Sequence, residues 1–424
     1  MHKPHADRGA LWRDTNFRWL WSGSAISLLG DQFTLIALPW LVLTLSGDPL
    51  ALGGVLAAMG APRAIFMLLG GAIVDRSSPR RVLLLSKLAS ALLVGLLGIL
   101  VLLGRVDMTL VMVLAAGIGL CTAFAFPAGS ALLPRVLEPA LLAPANGILM
   151  GMRQVSMLVG PLLAGLLIAT GGDAGGGLAA ARGLGLALLV DALSYLVSAA
   201  TLAQVRPLAR VTADAPATAT RPALLASLLA GLRYCWDDTA LRACFLYWGA
   251  MAFFVSGPLQ VALPLLAAQL GGAGTYGSLM AAHGAGMLAG MAGSSLRPGL
   301  RIANFGTTLL VADALVGLLF IAMSGIGGMW QGVGLLLALG LLGGYLQVAV
   351  FSWLQRRIRA DMLGRGMALL MFLFMGLAPL SAGLCGYLVS VVGLNAIFAG
   401  VGMAMLAVVL FGYVGTPIRH LSET

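Results

Sequence analysis

Six ionisable side chains lie deep inside long apolar stretches of the sequence, each about 11 to 13 residues from one end of its stretch. If the stretches are helices, a rise of about 1.5 Å per residue places all six in one layer. A charged group at the centre of a membrane costs at least about 2.5 kcal/mol, so such residues are functional candidates by default. Carboxyl and imidazole groups can carry protons there, and guanidinium groups can pair with carboxylates. The six residues are Asp31, Arg63, Arg153, Asp191, His283 and Asp313.

The composition shows what surrounds these side chains. The chain has 424 residues, of which 60% are hydrophobic and 9% charged, against about 45–50% and about 25% in an ordinary soluble domain. This composition excludes a soluble globular protein and a disordered chain. A nucleic-acid-binding domain is excluded as well, because the net charge of +10 comes from short basic patches between apolar stretches.

The apolar stretches predict an all-α integral membrane protein with twelve transmembrane helices, since a bilayer core needs about 20 apolar residues per helix. Nearly continuous apolar runs contradict the alternation of a membrane β-barrel. The predicted spans are 19–45, 50–74, 82–104, 108–128, 142–169, 184–203, 241–266, 274–296, 302–324, 331–353, 363–391 and 394–415.

Basic residues predict the orientation of the spans. Of the 25 Lys and Arg residues, all but four lie at or near one side, which the positive-inside rule makes cytoplasmic. Lys87, Arg242 and Arg365 are counted there because they can extend to the interface from within a span. Both termini are then cytoplasmic. The predicted segments are a cytoplasmic N-terminal segment (1–18), a six-helix bundle (19–203), a cytoplasmic linker with an interfacial helix (204–240), a second six-helix bundle (241–415) and a cytoplasmic tail (416–424).

The two bundles share a weak internal repeat. Ala37–Pro39 in the first span recurs as Ala262–Pro264 in the seventh, and Gly160–Gly165 in the fifth span is matched by Ala378–Gly383 in the eleventh. Two parallel six-helix halves joined by a cytoplasmic linker are typical of an alternating-access transporter with a midplane substrate site. A channel is the alternative from another class, but the sequence contains no filter-like segment.

The loop between the second and third spans contains Gly71, the Asp75-Arg76 pair and the Arg80-Arg81 pair. With these residues the loop resembles the signature loop of the major facilitator superfamily. The family's usual glycine after the Asp-Arg pair is absent, and Ser78 and Pro79 stand there instead. The resemblance implies a gating loop that holds the two halves together on the cytoplasmic side when the transporter faces outward, against the start of the eleventh span. A simple positive-inside anchor is the alternative. The candidate gating residues are Gly71, Asp75, Arg76, Arg80, Arg81, Gly364 and Arg365.

Five other stretches carry a further resemblance: Leu29–Asp31, Ala37–Trp40, Ala145–Asn146, Arg153–Gln154 and Gly160–Pro161. They are similar to the drug:proton antiporter branch of that superfamily, which includes macrolide efflux proteins and the enterobactin exporter. The resemblance implies that spans one, four, seven and ten line a central cavity. The candidate cavity residues on those spans are Trp40, Phe124, Phe126, Phe253, Phe254, Gln260, Tyr345, Gln347 and Trp353.

Asp31 is the first candidate for a proton carrier, because a carboxyl group balanced between burial and a nearby cation can change its protonation as a cavity changes sides. Arg63 and Arg153 are expected as its partners, although pairing of these charges could also be purely structural. His283 is the second candidate carrier. Asp191 and Asp313 fall on spans six and nine, which are peripheral in the family's fold, so we interpret them as structural.

The second half lacks the midplane charges of the first. The repeat places Ser256, Met287 and Met371 at the positions equivalent to Asp31, Arg63 and Arg153. Any coupling to protons is therefore expected in the N-terminal half.

The sequence contains no phosphate-binding loop, so we expect ATP-independent transport, no enzyme activity, and neither a cofactor nor a metal. A mostly apolar cavity and 20 methionines suit a bulky amphiphile. We therefore expect an exporter in a bacterial inner membrane that exchanges a drug, antibiotic or siderophore for protons, does not bind nucleic acid, and needs only a monomer. The alternatives are a lysophospholipid flippase or uncoupled facilitator of the same fold, and a membrane sensor or channel-like protein.

Overall fold

The computed structural model describes residues 8–171, 182–206, 208, 232–296, 304–359 and 362–421, without the side chains of residues 8, 67–76 and 364. Within these ranges the chain is helical and contains no strand. Most of the predicted linker, including residues 224–231 of the stretch expected to form an interfacial helix, lies outside the described residues, whereas the end of that stretch, residues 232–236, is described and helical.

The first half begins with a short helix and continues with six long ones. The first residue of α3, α4 and α6 is a proline. Proline is well tolerated there, because the backbone N–H that it lacks would have no hydrogen-bond partner within the helix. The helices are α1 (Arg8–Arg13), α2 (Thr15–Ser46), α3 (Pro49–Arg76), α4 (Pro79–Leu102), α5 (Met108–Val136), α6 (Pro139–Thr170) and α7 (Arg182–Gln204).

In the second half the seventh predicted span is interrupted. A π-helical turn at Pro258–Ala262 separates α8 from α9, since a proline inside a helix removes one backbone donor. A 3₁₀ turn at Pro417–His420 follows the last long helix. The helices are α8 (Thr239–Gly257), α9 (Leu263–Leu270), α10 (Ala273–Leu296), α11 (Phe305–Met323), α12 (Met329–Arg357), α13 (Leu363–Val392) and α14 (Leu394–Gly415).

Eleven helices of the described chain are long and apolar enough to cross a membrane, with α8 and α9 counted as one segment, Thr239–Leu270. The remaining predicted span, the eighth (274–296), corresponds to α10, whose 24 residues extend about 36 Å and are rich in glycine and alanine. The helices follow one another in the predicted order. The all-α membrane fold with twelve helices is therefore confirmed.

The chain divides into two compact units, one formed by 1–45 and 61–220 and the other by 46–60 and 221–424. The second unit thus includes the first turns of α3, which the sequence analysis placed in the N-terminal bundle. These turns pack closely on α13: a Cβ atom on Gly53 would lie 2.7 Å from the carbonyl oxygen of Ala382, and one on Gly386 would lie 2.6 Å from that of Pro49.

In the first unit, α2 packs against α7 and α4 packs against α5 and α7. Gly23 and Gly30 bring α2 close to α7, because a Cβ atom on either glycine would overlap with a side chain of α7. At one end of the unit, Asn16 donates hydrogen bonds to the carbonyl oxygens of Val136 (3.2 Å) and Arg206 (2.9 Å). These contacts fix the start of α2 to the ends of α5 and α7.

In the second unit, α10 and α12 approach each other through glycines on both helices. Gly286 and Gly290 of α10 face the backbone of α12, and Gly340 and Gly344 of α12 face the backbone of α10. Each pair is spaced i, i+4, so it forms one small-residue face. Membrane helices use such faces to pack closely, because lipid supplies no hydrophobic force between helices.

Asp238 caps the N-terminus of α8 and ties it to the end of α12. Its carboxylate accepts hydrogen bonds from the backbone N–H groups of Ala240 (2.8 Å) and Leu241 (3.1 Å) and pairs with Arg357 at 2.8 Å. Partial burial alone would raise the pKa of Asp238, but the hydrogen bonds from Leu241 and Arg357 outweigh it and the pKa is lowered.

We expect Asp238→Ala to lower the free energy of unfolding by about 1 kcal/mol at pH 7, the usual cost of losing an N-cap. Because the folded pKa lies below the unfolded one, this stabilisation is present above about pH 4 and is lost as the pH falls through the folded value. Thermal unfolding of the purified protein at pH 7 and at low pH measures both effects. The exposed neighbour Asp237 provides the control, and equal losses in Asp237→Ala and Asp238→Ala would contradict the capping role.

Candidate functional site

Asp31 lies on the face of α2 that packs against α7. Its carboxylate accepts a hydrogen bond from the hydroxyl of Tyr195 on α7, with 2.6 Å between the oxygens. Ser27 and Thr34 share this face, because they lie four residues before and three residues after Asp31. The polar face of α2 is therefore directed into the first unit's own helix packing.

Asp191 on α7 lies beside this face. Its side chain has 0% exposure and accepts hydrogen bonds from the hydroxyl of Thr34 and, at 3.1 Å, from that of Ser194. Its carboxyl group is close enough to Asp31 for the two to interact electrostatically. The structure thus brings together two carboxyl groups that the sequence analysis treated separately.

Lys87 on α4 supplies the positive charge of this site. Its ammonium group donates a hydrogen bond to Ser27 Oγ at 2.9 Å, lies 5.6 Å from the centre of the Tyr195 ring, and interacts electrostatically with both carboxyl groups. The prediction that Lys87 extends to the cytoplasmic interface was therefore wrong, since buried carboxylates attract the ammonium group more strongly than a distant interface. We call these residues the polar cluster: Ser27, Asp31, Thr34, Lys87, Asp191, Ser194 and Tyr195.

Glycine makes the polar cluster possible. A Cβ atom on Gly30 would lie 2.7 Å from Asp191 Oδ1 and would overlap with Ser194. Only a glycine at this position lets α2 and α7 come close enough for Asp31 and Thr34 to reach α7. Gly30, which permits the close approach of α2 to α7, directly precedes Asp31, which accepts a hydrogen bond from α7.

The expected ion pair of Asp31 with Arg63 or Arg153 is not formed. Within the described chain no carboxylate lies within 4 Å of either guanidinium group, because Asp31 is directed toward α4 and α7. Arg153 on α6 is exposed and interacts with Asp31 electrostatically only. The Nε atom of Arg63 is buried and has no hydrogen-bond partner.

The second unit contains a simpler carboxyl site. Asp313 on α11 accepts a hydrogen bond of 2.8 Å from the hydroxyl of Tyr247 on α8, and both residues are buried. His283 on α10 is half-buried and interacts with the backbone of Leu336 on α12, while its Nδ1 atom has no partner. No described lysine or arginine forms an ion pair with Asp313.

Only part of the predicted gating loop can be placed. The side chains of Gly71, Asp75, Arg76 and Gly364 lie outside the described residues. Arg80 donates hydrogen bonds from Nε to the carbonyl oxygen of Leu202 (3.3 Å) and from Nη2 to that of Ala203 (2.5 Å), which are among the last carbonyls of α7. A cation there also interacts favourably with the negative end of the helix dipole.

The other two gating candidates have different surroundings. Arg81 is exposed, and Arg365 lies 3.2 Å from the sulfur of Met362, one turn away. The gating role of this loop stays a prediction.

The candidate cavity residues differ in burial. Trp40 and Trp353 are packed inside their own units, Trp353 by stacking on Phe305 with ring centres 5.5 Å apart. Phe126 and Gln347 are exposed. The remaining candidates are half-buried: Phe124, Phe253, Phe254, Gln260 and Tyr345.

Sequence reasoning missed the roles of Lys87, Tyr195 and Asp191 in one site. A signal was present, since Ser27, Asp31 and Thr34 share a helix face and a second polar face runs along α7. Among the described residues, no group of three or more His, Cys, Asp or Glu side chains could hold a metal ion. What the cluster can do chemically is hold and release a proton between two carboxyl groups.

Comparison with curated proteins gives two informative relatives. The chain is 33% identical over 222 residues to the multidrug efflux pump Tap of Mycolicibacterium fortuitum, a match that covers 50% of this chain and 50% of Tap. The chain thus spans about half the length of that relative. It is also 25% identical over 360 residues to the enterobactin exporter EntS of Escherichia coli O1:K1 / APEC, covering 82% of this chain and 79% of EntS.

A solved structure with the same fold is that of a bacterial homologue of the human lysosomal transporter Spinster. It has a TM-score of 0.66 and 16% sequence identity, and the match covers 100% of this chain and 98% of the other. At this identity the likeness concerns the fold alone.

The family model of the Major Facilitator Superfamily matches residues 20–382. This range begins in α2 and ends in α13, so it includes nine of the twelve predicted spans completely, parts of the first and eleventh, and every residue of the polar cluster. The all-helical fold and the order of the helices agree with this match. The chain therefore belongs to the Major Facilitator Superfamily and is a multi-pass membrane transporter.

Proposed function

We propose that this transporter exports a bulky amphiphilic or apolar compound by alternating access and that protons moving inward drive the export. The observation that carries the proposal is the polar cluster, in which two carboxyl groups interact electrostatically with one ammonium group at the depth of the membrane centre. Buried ionisable groups of this kind are costly, and proteins retain them in proton pathways.

The charge balance of the cluster suggests the coupling step. When Asp31 is ionised it helps to balance Lys87, and when Asp31 binds a proton, Asp191 can balance Lys87 alone. Tyr195 stabilises ionised Asp31 through its hydroxyl. Because the cluster joins α2, α4 and α7, a change in the protonation of Asp31 changes the forces among three helices. Protonation can thus favour one of two conformations.

The relatives support the export direction. Tap is named a multidrug efflux pump and EntS an enterobactin exporter, and both are related to this chain at low identity. We further propose that the protein resides in a bacterial inner membrane with both termini in the cytoplasm. The loop with Asp75 would hold the outward-facing state against Gly364 and Arg365, and a monomer suffices.

The proposal is tested by reconstituting the protein in proteoliposomes and measuring proton flux with a pH dye inside the vesicles. The panel contains macrolides, cationic and anionic dyes, a siderophore and lysophospholipids, and Asp31→Asn is measured beside the wild type. The proposal expects substrate-evoked proton flux in the wild type only. Substrate flux without proton flux would instead indicate an uncoupled facilitator or a lysophospholipid flippase. Conductance without saturable exchange would indicate a channel-like protein, and binding with no flux of any kind would indicate a sensor.

A further inference from the structure

Two arginines in the first unit lie at the depth of the membrane centre without an acidic partner. They are Arg63 on α3 and Arg153 on α6, which we call the arginine pair. In the part of the chain that the structure describes, no Asp or Glu side chain forms an ion pair with either of them. Their guanidinium groups are instead close enough to repel each other.

Such an arrangement is unfavourable for the protein alone. Arg63 Nε is buried and has no acceptor, and an unsatisfied buried donor on a charged group costs more than about 1–3 kcal/mol. Charged side chains inside a membrane almost always pair with one another or face a polar space. Among the residues that the structure describes, the arginine pair therefore has no counter-anion.

Asp31 does not supply the missing charge. Its carboxylate accepts a hydrogen bond from Tyr195, and it interacts electrostatically with Lys87 first and with Arg153 second. The described structure contains no ion pair of Asp31 with Arg153. Asp191, the other carboxylate of the polar cluster, is bound by Thr34 and Ser194. The acidic groups of the first unit at this depth are thus committed to the cluster, and the arginine pair keeps its positive charge.

The surroundings of Arg153 suit a ligand. One face of α6 carries Asn146, Met150 and Arg153, which are spaced i, i+4 and i+7 along the helix. All three side chains are exposed. Gly147 and Gly151 on the same helix have no neighbouring atom within 4 Å of the place where a Cβ would lie. This part of α6 presents a polar and uncrowded surface rather than a packed one.

Arg63 is accompanied by aromatic side chains. Phe66 lies three residues further along α3 and therefore on the same side of the helix. Its ring centre is 6.5 Å from that of Phe124 on α5. A cationic group next to an aromatic pair matches a molecule with an acidic group attached to a flat apolar body.

We infer that the arginine pair binds the acidic group of the exported compound, so that the substrate is an amphiphilic anion such as an aromatic carboxylate or sulfonate. This inference rests on the proposed function and narrows its substrate class. Guanidinium groups suit the task because they bind such groups through two parallel hydrogen bonds and stay charged when buried. A neutral substrate would leave Arg63 Nε without an acceptor.

A matched pair of fluorescent probes tests the inference: 8-anilino-1-naphthalenesulfonate and the uncharged N-phenyl-1-naphthylamine, which lacks the sulfonate. Binding is measured in phosphatidylcholine nanodiscs, with empty nanodiscs subtracted. In Arg63→Gln and Arg153→Gln the Kd of the sulfonate should rise about tenfold, as for the loss of one charge-assisted hydrogen bond. The Kd of the neutral probe should stay constant, which also shows that the variants are folded.

Two further variants sharpen the test. Arg105→Gln removes a positive charge from the exposed loop between α4 and α5 and should leave both Kd values unchanged. Arg63→Lys keeps the charge and should retain part of the affinity for the sulfonate. Equal losses for both probes, or no loss for the sulfonate, would overturn the inference.

An anionic lipid headgroup carries the same chemistry and must be distinguished from an exported compound. The binding measurement is therefore repeated with phosphatidylglycerol in the nanodiscs. Persistent binding of the sulfonate supports an exported anion, whereas its complete displacement by phosphatidylglycerol would assign the arginine pair to lipid and overturn the inference.

Failure of the inference can be separated from failure of the proposed function. Proton-coupled export of neutral compounds, with no arginine-dependent binding of the sulfonate, would overturn the substrate class and leave the exporter intact. Arginine-dependent binding of the sulfonate without export of any compound would overturn the exporter and leave the anion site intact.

Discussion

Replacement of Asp31 by asparagine is expected to abolish substrate-evoked proton flux in proteoliposomes. Asparagine has nearly the same shape and can still accept a hydrogen bond from Tyr195 Oη, but it cannot release a proton. Without a titrating group at this position, the cluster can no longer pass a proton between two carboxyl groups, and among its described members Asp191 alone remains to balance Lys87. The expected loss is at least about 100-fold, the lower range for removing a positioned proton-transfer group.

The second unit provides the matched control. Asp313 is also a buried carboxyl group bound by a tyrosine hydroxyl, but no lysine or arginine in the described part of the chain pairs with it. Asp313→Asn should therefore keep proton flux within about threefold of the wild type, since it makes a similar chemical change outside the cluster. If both variants lose flux equally, or if Asp31→Asn keeps it, the cluster does not couple transport to protons.

Alanine in place of Gly344 is expected to destabilise the protein strongly. A Cβ atom there would lie 2.8 Å from the carbonyl carbon of Met287 and would overlap with the carbonyl oxygen. Because the obstacle is backbone of α10, no side chain can turn away, and the two helices must separate. We expect a loss of about 3 kcal/mol in the free energy of unfolding, the upper range for overpacking, measured by thermal unfolding in detergent.

Gly343 is the control for this change, since it precedes Gly344 on the same helix and has no atom within 4 Å of its Cβ position. Gly343→Ala makes an identical chemical substitution and should change stability by no more than about 1 kcal/mol, in the stabilising direction, because alanine favours a helix over glycine. Similar melting temperatures for the two variants would show that the contact between α10 and α12 is looser than described.

The positions of the helices could be predicted from the sequence because membrane insertion depends on local composition. The predicted span 302–324 corresponds to α11 at Phe305–Met323, and 184–203 corresponds to α7 at Arg182–Gln204. Helix length was less predictable, since α2 begins at Thr15, before the apolar stretch starts. Polar residues can extend a helix beyond the membrane, and hydropathy does not detect this extension.

The polar cluster could be predicted only in part. The spacing of Ser27, Asp31 and Thr34 was visible in the sequence, but the identity of their neighbours depends on which helices pack against α2. Lys87 illustrates the difficulty, because its flexible side chain can reach either an interface or a buried carboxylate. The same limit applies to Arg63 and Arg153, whose expected pairing with Asp31 depended on an orientation of α2 that the sequence does not reveal.

The two carboxylates and one ammonium group of the polar cluster also determine how such a transporter would respond to a membrane potential. With all three groups ionised the cluster carries one net negative charge, so a single bound proton makes it neutral. Each proton that enters across 100 mV, negative inside, would provide about 2.3 kcal/mol, enough for about a 50-fold concentration ratio. Export of an anion would move a second charge in the favourable direction and double this energy. Turnover would then be electrogenic, and a voltage-sensitive dye would report it directly.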